Sequence, residues 1–355
     1  MSEQSSGVQL SQQFHDNYIV PRLSSALPAL AYASALIGPG SEVLGFDTPM
    51  SRDHDWGPRV LLFVREADFS QREAIFEALH RAAPAAFYGF PLQVDQTIVT
   101  TVSAYFNRRL GRSPAEWFEE LEPLDWLTIP SQTLAELTGG TVFRDDLGEL
   151  TRARNHLRFY PQDIWLSLMA AIWNRIGQEE HLMPRAGFAG DELGAALIAS
   201  RLVRDIMSLC FLIERRYAPY AKWFGTAFRQ LACAKELLPV LIAEHTAEDW
   251  REREQALAAA YQIVARMHNE LQLTEPIEAK VTLFFDRPFT VIRGDRFAEA
   301  LVSKIEDSSL RKLAAFKFGG IDQISDNTDF RAVHERLQSS SGMTNPLRAF
   351  FERLL

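Results

Sequence analysis

The sequence contains only two cysteines, Cys210 and Cys233. Two isolated cysteines with no paired spacing indicate neither a disulfide framework nor a zinc site. The longest apolar stretch is interrupted by Arg201, Arg204 and Asp205, so the sequence offers no convincing membrane span. The polar N-terminus lacks the residue order of a signal peptide. We therefore expect a soluble, cytoplasmic protein that does not enter a membrane.

The sequence also has fewer basic than acidic residues. The 355-residue chain has 37 Lys and Arg against 46 Asp and Glu, a formal net charge of −9. This balance disfavours a polynucleotide partner, because nucleic-acid-binding proteins concentrate Lys and Arg against the phosphates. A single nucleotide remains compatible with it, since metal ions can neutralise its phosphates. The length allows two or three domains with a sizeable core.

The N-terminal third combines strand and helix patterns. The apolar run at 59–64 and the β-branched run at 90–102 predict two strands. Between them, Ser70 and Glu73 form a capping-box pattern that predicts the start of a helix. Strand, helix and strand in succession indicate a small α/β core.

Helical patterns dominate the rest of the chain. Apolar pairs recur at four-residue spacing from 164 to 173, and long helical patterns continue to 271, with Pro239 as a predicted break. Strand-like runs return after 276. We therefore predict an α+β fold in three parts: a small mixed β-sheet with helices at 1–130, a helical bundle with its connecting segment at 131–275, and a short α/β extension at 276–355.

The candidate site lies in the segment Gly38–Gly57. In an extended chain Asp53 and Asp55 point to the same face, and two adjacent carboxylates suit Mg²⁺. Upstream, Gly40 and Ser41 offer a turn whose backbone N–H groups can hold a phosphate. The alternative interpretation of the acidic pair is a solvated polar loop.

These residues resemble the signature of the nucleotidyltransferase superfamily, which has the polymerase-beta-like fold. That signature is a Gly followed by Gly or Ser, then, after eleven residues in this sequence, Asp-x-Asp before an apolar strand. The segments "GSEVLGFDTPMSRDHDWGPR", "FYPQDIW", "RRYAPYAKW" and "DRPFTVIRGDRF" are similar to a narrower bacterial branch, the DUF4037 group. Its nearest familiar relatives are the aminoglycoside nucleotidyltransferases. Trp56 and Gly57-Pro58 depart from the superfamily pattern, since proline interrupts a central strand.

The resemblance implies a reaction and a set of site residues. Asp53 and Asp55 would bind Mg²⁺ or Mn²⁺, and Ser41 with the Gly40 turn would hold the β- and γ-phosphates of ATP or another nucleoside triphosphate. Asp95 is the candidate third carboxylate, as metal ligand or general base. The enzyme would transfer a nucleoside monophosphate, with AMP as the expected group, to a hydroxyl of a small molecule or protein and release pyrophosphate.

Several roles stay open at this level. Asp95 is equally compatible with a surface acid. Lys222 contacts either triphosphate or solvent, and Arg52 and Arg59 contact either phosphate or the neighbouring aspartates. His54 is interpreted as a packed residue rather than a ligand. The rival function is a non-catalytic nucleotide-binding or protein-interaction module with the same fold.

Overall fold

The computed structural model describes residues 6–52, 56–92, 97–112, 119–332 and 346–355. The fold is α+β, as predicted from the sequence. Contacts divide the chain into two compact units. The described residues of the first unit lie mainly within 6–121 and 132–158, and the second unit comprises Glu122–Ser131, Phe159–Arg331 and Pro346–Leu355.

The first unit alternates helices and strands. It contains two 3₁₀ turns, Pro49–Arg52 and Glu66–Gln71, and a π-helical turn at His15–Ile19 that joins the first two helices. The elements are α1 (Gly7–Phe14), α2 (Val20–Ala26), β1 (Tyr32–Leu36), β2 (Leu61–Val64), α3 (Arg72–His80), β3 (Ala86–Phe87), β4 (Phe90–Pro91), β5 (Ile98–Thr100), α4 (Val102–Leu110), α6 (Ser131–Thr138), β6 (Thr141–Asp145) and α7 (Glu149–His156).

A mixed sheet with the order β5-β2-β1-β6 forms the centre of this unit. Strand β1 pairs antiparallel with β2 and β6, whereas β2 pairs parallel with β5. Every residue of β1 and β2 is buried, which explains why both strands are apolar runs rather than alternating ones. The segment 138–151, whose sequence is typical of a turn-rich connection, contains the edge strand β6 and the start of α7.

Both faces of the sheet are covered. On one face, the strands pack against α3 and against the first helical segment, which comprises α1, the π-helical turn and α2. Together they form an apolar core. The alternate residue Phe63 points to the other face, where its ring centroid lies 5.6 Å from that of Tyr105 in α4. The core of the first face contains Phe14, Tyr18, Ile19, Leu23, Leu30, Tyr32, Val60, Leu62, Val64, Ile75, Leu79 and Val99.

The second predicted strand is shorter than expected. Within the span 90–102, the described strands are only β4 and β5. Pro91 ends β4 and has no N–H with which to extend a ladder. After β5, the Thr101 hydroxyl accepts a hydrogen bond from the Ala104 N–H at 3.2 Å and caps α4. The β-branched run therefore divides into a strand and a helix cap.

The second unit is mainly helical. A β-hairpin is its only described sheet. The elements are α5 (Pro123–Thr128), α8 (Gln162–Glu179), α9 (Leu182–Phe188), α10 (Glu192–Ile213), α11 (Ala221–Phe228), α12 (Ala234–Thr246), α13 (Trp250–Glu270), β7 (Thr282–Phe284), β8 (Arg287–Val291), α14 (Gly294–Val302), α15 (Ser308–Ala314), α16 (Ile321–Ile324), α17 (Thr328–Arg331) and α18 (Pro346–Glu352).

Helices α8 and α14 approach closely because glycines lie at their contact. A Cβ at Gly294 would lie 2.5 Å from the Trp173 carbonyl oxygen and 2.8 Å from the Gly177 nitrogen. The Trp173 and Phe297 rings stack beside this contact at 4.3 Å. The hairpin and α14 therefore pack with the helices of the second unit. The division of the chain into three domains, at 1–130, 131–275 and 276–355, remains a prediction.

Pro239 does not break a helix, contrary to expectation. It lies inside α12, flanked by the buried residues Leu237 and Leu241. An interior proline costs roughly 3 kcal/mol, and full burial of each leucine contributes about 1.5–3 kcal/mol. Packing of the two leucines therefore offsets the proline.

Candidate functional site

The predicted site residues fall into two groups. Asp53, Asp55 and Asp95, with His54, lie outside the described residues. Arg52 ends a 3₁₀ turn, and its side chain is also outside the described part. Gly40, Ser41 and Lys222 are described, as are the residues that flank the three aspartates in the sequence.

The sheet brings three relevant chain positions to one edge. Ala35, near the end of β1, pairs with Leu61, the first residue of β2. Leu61 in turn pairs with Ile98, the first residue of β5. The chain therefore leaves β1 towards Gly40 and Ser41, and enters β2 and β5, at the same edge.

The Gly40–Ser41 loop follows β1 directly. Gly40 has a φ of +139°, and a Cβ there would lie 2.3 Å from Arg59 Nη2 and 2.7 Å from Glu42 Oε2. The loop is closed by the Phe46 N–H, which donates to the Ser41 carbonyl at 2.8 Å. Among the described residues, the N–H groups of Gly40, Ser41 and Val43 donate to no backbone carbonyl outside regular elements, whereas the Glu42 N–H interacts with the Glu42 carboxylate. A loop with such amides provides donors that suit phosphate oxygens.

A second segment, at the end of α6, holds this loop in place. The Gly38 N–H donates to the Glu136 carbonyl at 2.9 Å, and the Gly140 N–H donates to the Val43 carbonyl at 2.7 Å. Gly140 has a φ of +62°, and a Cβ there would lie 1.9 Å from the Leu36 carbonyl oxygen. Gly140 is therefore required for the close approach of β6 to the loop.

Arg59 contacts the loop rather than an open phosphate position. Its Nε and Nη2 donate to Glu42 Oε1 at 3.0 and 2.5 Å, and Nη2 also donates to the Pro39 carbonyl. The Glu42 side chain is 1% exposed. Burial raises the pKa of Glu42, and the charge of Arg59 opposes that rise. Of the two roles left open for Arg59, pairing with a nearby carboxylate is the one observed, although the partner is a glutamate and not an aspartate.

Trp56 connects the flank of the predicted acidic pair to two other segments. Its indole N–H donates to Asp47 Oδ2 at 3.2 Å, and the same oxygen accepts the Gly7 N–H at the start of α1 at 2.9 Å. The Trp56 ring also lies edge-on to Phe90, with centroids 4.9 Å apart. Phe90 lies five residues before Asp95 in the sequence. The described flanks of both carboxylate segments are therefore in contact.

Lys222 lies in the second unit, in α11, and is exposed. Its Nζ is 5.0 Å from the centroid of the Trp223 ring, a cation–π contact. Tyr217, five residues before Lys222 in the sequence, contacts Phe159 and Tyr160 at centroid distances of 5.5 and 5.0 Å. These contacts explain the aromatic residues by packing, and a phosphate role for Lys222 remains a proposal.

Within the residues that the structure describes, no group of three or more His, Cys, Asp or Glu side chains is placed to hold a metal ion. Asp53, Asp55 and Asp95 lie outside those residues. Among the same residues, no helix combines the length and the apolar character needed to cross a bilayer.

Comparison with known proteins adds one family match. Residues 126–224, from α5 to α11, match the family described as "Domain of unknown function (DUF4037)". A nucleotidyltransferase-like protein from Exiguobacterium sibiricum 255-15 is similar in structure at 10% sequence identity, over 84% of this chain and 89% of that one, with a TM-score of 0.33. No curated protein matches the chain.

Proposed function

We propose that this chain is a nucleotidyltransferase that depends on Mg²⁺ or Mn²⁺ and uses ATP or another nucleoside triphosphate. One observation carries the proposal: the Gly40–Ser41 loop and the entries to β2 and β5 lie at one edge of the sheet. The contact between Trp56 and Phe90 adds support, because it joins the flanks of the segments that contain Asp55 and Asp95.

The donor set fits the proposed metal. Asp53, Asp55 and Asp95 supply hard carboxylate oxygens, the ligands that Mg²⁺ prefers together with water and phosphate. When bound there, the metal would neutralise charge on the triphosphate. The residues of the chain bind and orient the triphosphate. The Gly40–Ser41 loop holds the β- and γ-phosphates through backbone N–H groups and the Ser41 hydroxyl, and its anchoring by Gly140 keeps those donors in place.

The reaction transfers a nucleoside monophosphate, AMP where ATP is the donor. An acceptor hydroxyl oxygen attacks the α-phosphorus, and the bond from that phosphorus to the oxygen bridging it to the β-phosphorus breaks. Pyrophosphate leaves, and the hydroxyl proton passes to a carboxylate, for which Asp95 is the candidate base. Arg52 and Lys222 are proposed as additional phosphate ligands. The acceptor is a small molecule or a protein side chain, and the similarity to aminoglycoside nucleotidyltransferases does not identify it.

The function is tested by following the transferred group. The full-length protein is incubated with α-labelled ATP, Mg²⁺ and a cell extract, and label is measured in protein, RNA and small-molecule fractions. We expect label in the protein or small-molecule fraction, with equimolar pyrophosphate, and loss of both in Asp53→Asn. Glu77→Gln, which removes an exposed carboxylate paired with Arg81, is the matched control and should retain transfer.

The same experiment separates the enzyme from a non-catalytic module. Binding of a nucleoside triphosphate without transfer to any fraction would favour the module. Failure of all four common nucleoside triphosphates to bind or to transfer label would contradict the enzyme and the nucleotide-binding module, and would leave the protein-interaction module.

A further inference from the structure

A cavity of about 620 Å³ lies within the second unit. Small-molecule sites typically occupy roughly 300–1,000 Å³, so its size suits an organic ligand. It is bordered by α10, α11, α12 and the segment from Asp322 to Arg331. Its apolar wall consists of Val203, Met207, Phe224, Leu238, Leu241 and Ile242.

Both arginines that line the cavity already have acidic partners. Arg204 forms an ion pair with Asp326. Arg331 lies 3.5 Å from Asp322 and 3.6 Å from Asp326. All four of these side chains line the cavity. Their charges balance, so this side offers no free cation for an anionic ligand.

Glu244 also lines the cavity but, unlike those arginines, forms no ion pair among the described residues. It is 2% exposed, and its Oε2 is buried without a hydrogen-bond partner among the described residues. No ion pair of Glu244 within 4 Å occurs in that part of the chain. A buried polar group without a partner costs about 1–3 kcal/mol, and more when it is charged. Burial raises the pKa of Glu244, although the charges of Arg253 and His245 oppose that rise.

We propose that this cavity binds a small organic cation, with an ammonium or amidinium group on Glu244 and an apolar body against the wall. A charge-assisted hydrogen bond from the cation would satisfy the carboxylate. Three carboxylates, two arginines and His245 line the cavity, so negative charge is in excess when His245 is neutral, which favours a cation over an anion. Every lining residue belongs to the second unit, and none of them is among the residues proposed for nucleotidyl transfer.

Three probes that differ only in the head group test the proposal. The affinities of n-hexylammonium, n-hexanol and n-hexanoate for the full-length protein are measured by isothermal titration calorimetry at pH 8. We expect hexylammonium to bind about tenfold more tightly than hexanoate, as one charge-assisted contact provides. Glu244→Gln should remove most of that preference. Glu236→Gln, which removes an exposed carboxylate from the same helix, is the matched control and should retain it.

A second variant blocks the cavity without removing charge. Gly225 lines the cavity in α11, and a Cβ there would have no neighbour within 4 Å. Gly225→Leu should therefore keep the fold, and a helical glycine replacement favours the helix by up to about 1 kcal/mol. We expect it to weaken all three probes. Absence of saturable binding by the wild-type protein, or a head-group preference that Glu244→Gln leaves unchanged, would overturn the proposal.

Discussion

Trp56 packs edge-on against Phe90, with ring centroids 4.9 Å apart and planes at 69°. Trp56 follows Asp55 in the sequence, and Phe90 precedes Asp95 by five residues. No sequence rule links these two aromatic residues, yet their contact joins the two segments that contain the predicted carboxylates. This contact is the structural observation that most directly supports the proposal that Asp55 and Asp95 act together.

Loss of the Phe90 ring tests that link. We expect Phe90→Leu to lower the free energy of unfolding by roughly 0.5–1.5 kcal/mol, the usual value of an aromatic pair. Because the proposed site draws on both segments next to this pair, the variant should also weaken nucleotide binding in the presence of Mg²⁺, measured by titration calorimetry. Phe69→Leu, at a residue 39% exposed, is the control for a lost ring. Unchanged nucleotide affinity in Phe90→Leu would separate the contact from the site.

Gly40 and Gly45 form a matched pair for testing the phosphate loop. Both have positive φ, +139° and +76°, but a Cβ at Gly40 would collide with Arg59 and Glu42, whereas Gly45 faces open space. Gly45→Ala should cost about 1 kcal/mol of backbone strain and retain nucleotide binding. Gly40→Ala should cost roughly 1–3 kcal/mol and lose binding, since Arg59 must move. Titration calorimetry measures the nucleotide affinity of both variants, and thermal unfolding measures their stability. Equal binding by the two would exclude a specific role for Gly40.

The sequence predicted those features that depend on neighbouring residues. The apolar run that forms β2 and the four-residue spacing that forms α8 both depend on local pattern, and both elements are present. The capping box at Ser70 was wrong: the helix begins at Arg72, after a 3₁₀ turn, and Gln71 makes no capping hydrogen bond through its side chain. Local pattern could not resolve which of two adjacent turns continues as the α-helix.

The loop that carries the candidate site depends on distant residues instead. The Val43 carbonyl is bound by Gly140, and Glu42 is bound by Arg59. Neither partner could be identified from one sequence, because a pair far apart along the chain leaves no periodic signal. The choice between pairing and phosphate contact for Arg59 therefore required the structure.

The Glu42–Arg59 pair gives a prediction about stability. Arg59→Met leaves a buried carboxyl group without its partner, and breaking a buried pair in this way costs about 3–5 kcal/mol. We expect the double variant Glu42→Gln/Arg59→Met to recover most of that loss. Denaturant unfolding of the four proteins in a double-mutant cycle measures the coupling. Strictly additive effects would contradict the pairing.

Glu180 should make stability depend on pH. Its carboxylate accepts the N–H groups of Ile292 and Gly294, at 2.5 and 3.2 Å, yet burial raises its pKa from 4.5 to about 7. Because the folded state binds the proton more tightly than the unfolded state, the contribution of Glu180 to stability falls by about 3 kcal/mol as the pH rises from 4.5 to 7.

His268 acts in the opposite direction over an overlapping range. Burial lowers its pKa from 6.5 to about 4, so its protonation destabilises the fold as the pH falls through that range. The two slopes largely cancel in the wild-type protein between pH 4.5 and 6.5. The difference between Glu180→Gln and wild type isolates the glutamate: the variant should gain relative stability as the pH rises from 4.5 to 7. Glu299→Gln on the same unit is the surface control, and a pH-independent difference for Glu180→Gln would contradict the assignment.

The proposed function requires a metal-dependent nucleotide site that contains Asp53 and Asp55. This site is tested by the shift in melting temperature with each nucleoside triphosphate, with and without Mg²⁺, for wild type, Asp53→Asn and Asp55→Asn. We predict stabilisation of the wild-type protein that requires both nucleotide and Mg²⁺ and disappears in both variants. No shift with any nucleotide, or an equal shift in the variants, would contradict such a site.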